Sequence, residues 1–192
     1  MARNAQGTQD RLIAAARAIF SRSGFERTTV RDIAAEAGVN PALINRYFGG
    51  KEGLFVRAVT IRLDFPDLAQ VPRDRIGRAL VEHFFRRWEG RAEDDLLRVL
   101  IRTAATNDEA AGRIRTILTE QVAAMVSGVA GVERAGERAA LIASQILGLA
   151  YLRFVLGLTD VDLPRETVVG MIGDTIQRYL ITELPGQQPR AG

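Results

Sequence analysis

The chain has 192 residues, of which 47% are hydrophobic and 26% are charged, a balance typical of a globular protein. It contains no cysteine, which excludes disulfides and thiolate metal sites, and a single histidine, His83, is too few for a histidine-based metal site. The first ten residues, MARNAQGTQD, lack the apolar stretch of a signal peptide, so we expect a cytoplasmic protein, and no motif indicates a cofactor.

Positive charge is concentrated in the first quarter of the chain. Residues 1–51 contain eight arginine or lysine residues and four acidic residues, a net charge of +4, whereas the whole chain has a net charge of +3. This asymmetry favours an anionic partner for the N-terminal part. A solvated arginine-rich surface is equally compatible with the count.

The spacing of apolar residues predicts an all-helical protein. Apolar residues recur at intervals of three and four along almost the whole chain, and no convincing alternating runs appear. The first predicted helix covers residues 8–23, where Leu12, Ile19 and Phe20 share one face and Gly24 ends the helix.

A short second helix is predicted after this glycine. Thr29 is in position to cap it, and Asp32 suits the positive end of the helix dipole. Ile33 and Ala34 form the inner face. Gly38 ends the helix, because glycine accepts the left-handed backbone that a sharp turn demands.

A third short helix begins directly after the turn. Asn40 and Pro41 are predicted as its cap and its first residue, where the missing N–H of proline costs nothing. Leu43, Ile44 and Phe48 form its buried face.

Residues 29–48 therefore have the sequence form of a helix-turn-helix. The outward residues of its second helix are Pro41, Ala42, Asn45 and Arg46, two of which are small enough to let the backbone approach a surface. An exposed helix of this size fits the major groove of DNA, so we expect double-stranded DNA as a partner.

The stretch RLIAAARAIFSRSGFERTTVRDIAAEAGVNPALINRYFGGKEGLF, residues 11–55, resembles the DNA-binding region of the TetR family of bacterial transcriptional regulators. This resemblance implies a helix-turn-helix in a three-helix N-terminal domain, followed by a helical domain that binds a ligand and dimerises. The features that agree include Gly24-Phe25, Thr28-Thr29-Val30, Ile33-Ala34, Ala37-Gly38-Val39, Phe48, and Lys51-Glu52 followed by Leu54.

The resemblance also implies which residues contact DNA. Those expected near base edges are Arg31, Pro41, Ala42 and Asn45, and those expected on phosphates are Thr29, Tyr47 and Lys51. Asparagine can bond adenine bidentately, arginine can donate to guanine or phosphate, and a helix N-terminus favours an anion. The family usually has tyrosine at the position of Asn45, and many members have histidine at that of Arg46, so the resemblance does not define the operator.

Plainer interpretations exist for several of these side chains. Arg31 could be a solvated charge, Lys51 could pair with a carboxylate, and Tyr47 could belong partly to the core. Thr29 could serve only as a cap. A nucleotide-binding loop at FGGKE is excluded, because that motif needs glycine where Asn45 stands and serine or threonine after the lysine.

The rest of the chain is predicted to form a second helical domain. A fourth helix over residues 51–63 is interpreted as the connector that follows a helix-turn-helix domain of residues 1–55. The joint at residues 64–74 contains two prolines. The C-terminal bundle is predicted over residues 75–183, with helices at 75–89, 94–105, 108–129, 136–157 and 165–182.

Aromatic and polar residues in the middle helices suit a pocket for a small apolar effector. The alternative is that the aromatic side chains are ordinary core. The residues predicted to line such a pocket are Phe84, Phe85, Trp88, Ile101, Arg102, Gln121 and Met125.

The last two helices are predicted to form a homodimer interface. Residues 139–158 are apolar nearly all round, so more than one side must be covered. A membrane span is the rival interpretation, but the length is marginal and Arg153 lies within it. The predicted interface residues are Leu141, Gln145, Leu149, Leu152, Val169, Ile172, Ile176 and Leu180.

These patterns predict a transcriptional regulator, interpreted as a repressor that a small apolar effector releases from a palindromic operator. An activator is equally compatible with the residues. An enzyme is not expected, because no nucleophile motif or metal-ligand spacing is present. A helical protein-interaction module is a further alternative, which salt-insensitive DNA binding would favour.

Overall fold

The computed structural model describes residues 2–88, 92–129, 131–158 and 163–185, and every regular element in these ranges is helical. The predicted all-α fold class is therefore confirmed. The helices are α1 (Ala2–Ser23), α2 (Val30–Ala37), α3 (Ala42–Phe48), α4 (Lys51–Ala58), α5 (Ile76–Trp88), α6 (Ala92–Thr103), α7 (Asp108–Ile117), α8 (Ala123–Ser127), α9 (Ala135–Ala150) and α10 (Arg165–Ile181).

Two compact units make up the chain. The first consists of Met1–Leu63 together with Arg87–Ile117, so that α1–α4 share a unit with α6 and α7. The second consists of Asp64–Arg86 and the chain from Leu118 onward. The predicted domains, residues 1–55 and 75–183, are each continuous in sequence, whereas the first compact unit also includes Arg87–Ile117 from within the predicted C-terminal domain.

The helices α1–α4, called the head below, enclose an aromatic cluster. Phe20, Phe25 and Phe55 are buried, and the centroids of their rings lie 4.9 to 5.9 Å apart. A β-carbon on Gly53 would lie 1.9 Å from the carbonyl oxygen of Phe48, so α3 and α4 pack with no side chain between them. Helices as short as α2 and α3 are marginal alone in water, so this packing is what holds them.

The fourth helix is shorter than predicted: it ends at Ala58 rather than at residue 63. The carbonyl oxygen of Val59 accepts a hydrogen bond from Arg113 at 3.2 Å, and that of Thr60 accepts one from Arg17 at 3.4 Å. These arginines satisfy carbonyls that a longer helix would have bonded internally. Bonds to distant parts of the chain leave no signal in the local pattern of residues.

A long helical stretch follows α6 and contains a widened turn. The helix predicted over residues 108–129 is present as α7, a π-helical turn at Leu118–Val122, and α8. A second π-helical turn, Tyr151–Val155, continues α9. Such turns are rare and are found often at functional sites.

The segments α9, Tyr151–Val155 and α10, called the C-terminal pair below, are joined at one end by a buried arginine. Arg138 on α9 donates to the carbonyl oxygens of Tyr179 and Thr182 at the end of α10, at 2.5 and 2.9 Å. Arg138 also donates to the carbonyl oxygen of Glu133 at 2.7 Å. A cation at the C-terminal end of a helix complements the helix dipole, so Arg138 acts as a side-chain cap for α10.

Candidate nucleic-acid interface

The start of α2 is held by a reciprocal cap. The amide of Asp32 donates to the Thr29 hydroxyl oxygen at 3.2 Å, while the Thr29 amide donates to the Asp32 carboxylate at 2.9 Å. The Thr29 hydroxyl also donates to this carboxylate at 2.7 Å, and that bond is the main reason why the pKa of Asp32 lies below its ordinary value. The capping role predicted for Thr29 is confirmed.

The turn between α2 and α3 has the geometry that the glycine pattern predicts. Gly38 adopts φ 64° and ψ 42°, the left-handed region, and the Val39 amide donates to the Ala34 carbonyl at 3.0 Å. The Asn40 side chain accepts a hydrogen bond from the Ala42 amide at 2.8 Å. The prediction of Asn40 as the cap and Pro41 as the first residue is therefore one residue early, because α3 begins at Ala42 with Pro41 in the cap position, and the Asn40 side chain bonds the first helical amide.

The third helix buries one face and exposes the other. Ile44 is fully buried, whereas Leu43 and Phe48 are half-buried. The outward residues of the turn and of α3, and the predicted residues on α2, are open to an external partner. Those with exposed side chains are Thr29, Arg31, Pro41, Ala42, Asn45 and Arg46.

Tyr47 lies at the edge of this exposed face. It is half-buried, and its ring meets that of Phe48 edge-on at 6.4 Å between centroids. The guanidinium of Arg46 lies 5.9 Å from the centroid of the Tyr47 ring. Tyr47 thus combines a partly packed ring with an accessible edge, which accommodates both its predicted phosphate role and the core alternative.

Lys51 is tied to the loop between α1 and α2. Its ammonium donates to the Phe25 carbonyl oxygen at 3.1 Å and lies 4.1 Å from the centroid of the Phe25 ring. The side chain is half-buried. An ammonium group has three donors, so one bond to a carbonyl leaves donors for a phosphate. Sequence reasoning missed this contact, because a backbone acceptor has no residue signature.

The residues predicted to line an effector pocket are divided between the two compact units. Trp88, Ile101 and Arg102 belong to the first unit, and the other four belong to the second. Four of the seven are buried, two are half-buried, and Arg102 is exposed. Buried are Phe84, Phe85, Trp88 and Ile101; half-buried are Gln121 and Met125.

The residues predicted for the dimer interface also differ in exposure. Leu141 and Leu152 are 37% and 50% exposed. Ile176 and Leu180 are 0% and 2% exposed, so a partner chain cannot cover them, and their assignment to the interface is corrected. They lie on the face of α10 that packs inside its own unit. The half-buried members are Gln145, Leu149, Val169 and Ile172.

The C-terminal pair and the segments beside it expose further large apolar side chains. Met171 is 68% exposed. Among the described residues, the helical stretch Ala135–Val155 is long and apolar enough to cross a membrane, and 28% of its most apolar part is buried. The other large apolar residues exposed here are Tyr151, Leu156, Leu158, Leu163 and Ile181.

Models of two protein families match most of the chain. Residues 12–58 match the bacterial regulatory proteins of the tetR family. Residues 74–180 match the tetracyclin repressor-like C-terminal domain. The two matches fall on either side of the predicted joint at residues 64–74.

Curated relatives are similar over a shorter stretch. The probable HTH-type transcriptional regulator YttP of Bacillus subtilis is 45% identical over 53 residues, which is 28% of this chain and 26% of that protein. The HTH-type transcriptional repressor BdcR of Escherichia coli is 32% identical over 77 residues, 38% of this chain and 39% of that protein. The chain thus spans well under half the length of either relative.

A solved structure is similar over nearly the whole chain. It is a TetR-family regulator from Streptomyces coelicolor, which is 27% identical with a TM-score of 0.55. The match covers 90% of this chain and 94% of that one.

Proposed function

Since the chain belongs to the TetR family of bacterial regulatory proteins, we propose that it is a homodimeric, cytoplasmic repressor that binds a palindromic DNA operator. A small apolar effector, bound by the C-terminal domain, releases the DNA. The proposal is for a regulator of transcription and not for an enzyme.

One observation carries the proposal, namely the division of α3 into a buried face and an exposed polar face. Ile44 anchors the helix in the head, while Asn45 and Arg46 point outward. The exposed Ala42 lets the helix backbone come close to a surface. A helix presented in this way fits the major groove, where asparagine and arginine can bond base edges.

Phosphate contacts would fix the head on the duplex. Thr29 is exposed at the N-terminus of α2, and Lys51 lies in the first turn of α4, where backbone N–H groups already favour an anion. Tyr47 is half-buried, so part of its side chain is open to the duplex. Arg31 is exposed on α2 and is proposed to reach a base edge.

Two copies are needed for a palindrome, and the C-terminal pair is proposed to join them. Leu141, Leu152 and Met171 are exposed apolar side chains on this pair, as expected of a surface that a second copy covers. A membrane contact is not proposed, because α9 also packs on α8 and α10 and carries the buried Arg138.

The effector site is proposed to lie in the second compact unit. The buried aromatic residues Phe84 and Phe85 would supply apolar walls, and Gln121 a polar group. An effector that binds the DNA-free state more tightly shifts the population away from the operator-bound state.

The test begins with selection of bound duplexes from random DNA by the full-length protein. A repressor of this kind selects a palindrome, and deleting the gene raises transcription from a promoter that carries it. Selection of no preferred sequence would refute sequence-specific binding.

Two variants then separate base reading from phosphate binding. Asn45→Ala is expected to weaken binding to the selected operator by about 1–3 kcal/mol and to leave binding to random DNA unchanged. Lys51→Gln is expected to weaken both and to lower the slope of log affinity against log salt by about one per head. Gel-shift titrations at several salt concentrations measure both effects. Equal losses on both duplexes for Asn45→Ala would contradict base reading.

A further inference from the structure

The end of α4 is bonded to a helix that lies far away in the sequence. The Arg113 guanidinium on α7 donates through Nε to the Val59 carbonyl oxygen at 3.2 Å, across 54 positions of sequence. The Val59 side chain is fully buried, and Arg113 is half-buried. A cation here also faces the negative end of the α4 dipole, so the bond is charge-assisted.

The neighbouring carbonyl provides an internal comparison. The Thr60 oxygen accepts from Arg17 at 3.4 Å, and Arg17 belongs to α1 of the head itself. Arg17 therefore ties the end of α4 to its own domain. Arg113 ties it to α7, which lies within the residues that match the C-terminal family domain.

Packing within the first compact unit agrees with this link. The helices α1 and α6, α4 and α7, and α6 and α7 are in contact, so two helices from beyond the joint pack against the head. The chain continues from α7 directly into the π-helical turn Leu118–Val122, which contains Gln121, a predicted effector residue.

We propose that Arg113 is a positioning residue that makes α7 and the helix-turn-helix move as one piece. This inference rests on the proposed function of a dimer that binds a palindrome. The Arg113 bond then carries any displacement of α7 to α3 through the end of α4. In the unliganded dimer the same bond limits the orientations that the two heads can adopt.

The test compares a full palindrome with a duplex that holds one half-site, both taken from the selected operator. Binding to a half-site needs a folded head, whereas binding to the palindrome also needs two heads in register. Arg113→Met keeps the aliphatic stem and removes the donors. It is expected to weaken palindrome binding about tenfold more than half-site binding, because loosely held heads have a lower effective concentration.

Two further variants keep the result decisive. Arg17→Met removes the hydrogen bond between Arg17, which belongs to the head, and the Thr60 carbonyl oxygen. It is therefore expected to leave the ratio of palindrome to half-site affinity unchanged. Arg113→Lys keeps a cation that can donate to the Val59 carbonyl, and it is expected to restore part of the ratio. If Arg113→Met does not fold, Arg113→Lys decides the matter. A ratio of palindrome to half-site affinity below that of both wild type and Arg17→Met supports the inference, and a ratio equal to theirs overturns it.

Equal losses on both duplexes for Arg113→Met would mean that the bond only stabilises the head, and would overturn the inference. An unchanged affinity for the palindrome would also overturn it. Either result leaves the proposed function standing, since wild type still prefers the palindrome. A wild-type protein that selects no palindrome would instead remove the proposed function.

Discussion

The head and the C-terminal pair differ in how far their large apolar side chains are buried. In the head, Phe20, Phe55, Ile33, Ile44 and Leu54 are fully buried, and the exposed residues of α3 are polar or small. In and beside the C-terminal pair, eight large apolar side chains are exposed. The head buries its large apolar side chains within the first compact unit, whereas the C-terminal pair leaves apolar surface for something else to cover.

This difference separates two kinds of binding surface. A surface that reads nucleic acid must stay hydrated and polar while it is free, so its helices depend on caps and on packing from behind. A surface that joins two copies permanently resembles a core cut in half. Exposed apolar area is therefore what a dimer surface is expected to show, and a polar face on a well-anchored short helix is what a DNA surface is expected to show.

The largest expected effect comes from placing a charge on the apolar surface. Leu152→Glu is expected to raise the dissociation constant of the dimer about 1,000-fold, or about 4 kcal/mol, because both copies would bury an unpaired carboxylate. Analytical ultracentrifugation measures the constant. Ala14→Glu, at an exposed position of α1 in the head, is the control and is expected to leave the dimer intact. A Leu152→Glu protein that remains a dimer would show that this surface has another role.

A second substitution tests how tightly the head is packed. Gly53→Ala puts a β-carbon against the Phe48 carbonyl oxygen, so α3 and α4 must separate. The expected cost is about 3 kcal/mol of unfolding free energy, with loss of operator binding. Gly7→Ala, where a β-carbon meets nothing within 4 Å, is the matched control. It is expected to stabilise α1 by up to about 1 kcal/mol. Thermal unfolding that ranks the two variants the other way would disprove the close packing.

The smallest effect concerns the cap of α2. Thr29→Ala is expected to cost about 1 kcal/mol of unfolding free energy at neutral pH, whereas Thr29→Ser keeps the hydroxyl and costs less. The pKa of Asp32 is lower in the folded protein than its ordinary value, chiefly because of the Thr29 hydroxyl bond. Its contribution to stability is therefore present at neutral pH and is lost as pH falls through the lowered pKa.

Denaturation curves collected from about pH 7 to about pH 2 test this linkage. The difference in unfolding free energy between wild type and Thr29→Ala should shrink as Asp32 becomes protonated. A difference that stays constant with pH would show that the carboxylate takes no part in the cap.

The sequence predicts local features of this fold well and distant contacts poorly. Thr29 and Gly38 act through neighbours within a few residues, and the structure confirms their capping and turn roles. The end of α4 was predicted five residues too late, because the partners of its last carbonyls are arginines on α1 and α7. The same limit explains Lys51, whose acceptor is the Phe25 carbonyl.

The faces of α10 show a second limit. A stripe of apolar residues on a helix predicts that the stripe is covered, but it does not say whether by the same chain or by another. Ile176 and Leu180 are covered by their own unit, while Met171 on another face of α10 is exposed. The two π-helical turns, Leu118–Val122 and Tyr151–Val155, were not predicted either, because apolar residues still recur at intervals of three and four around them.

The length of α3 limits how much information one head can read. Seven residues span about 10 Å, which corresponds to about three base pairs of a duplex. Two heads would together read about six base pairs. A given sequence of that length occurs by chance about once in every 4,000 base pairs, which is far too often to single out one promoter. Heads that accepted several spacings would meet as many chance sites again for each spacing. The helices that hold the two heads at one distance and angle therefore contribute to operator selection together with the residues that contact the bases.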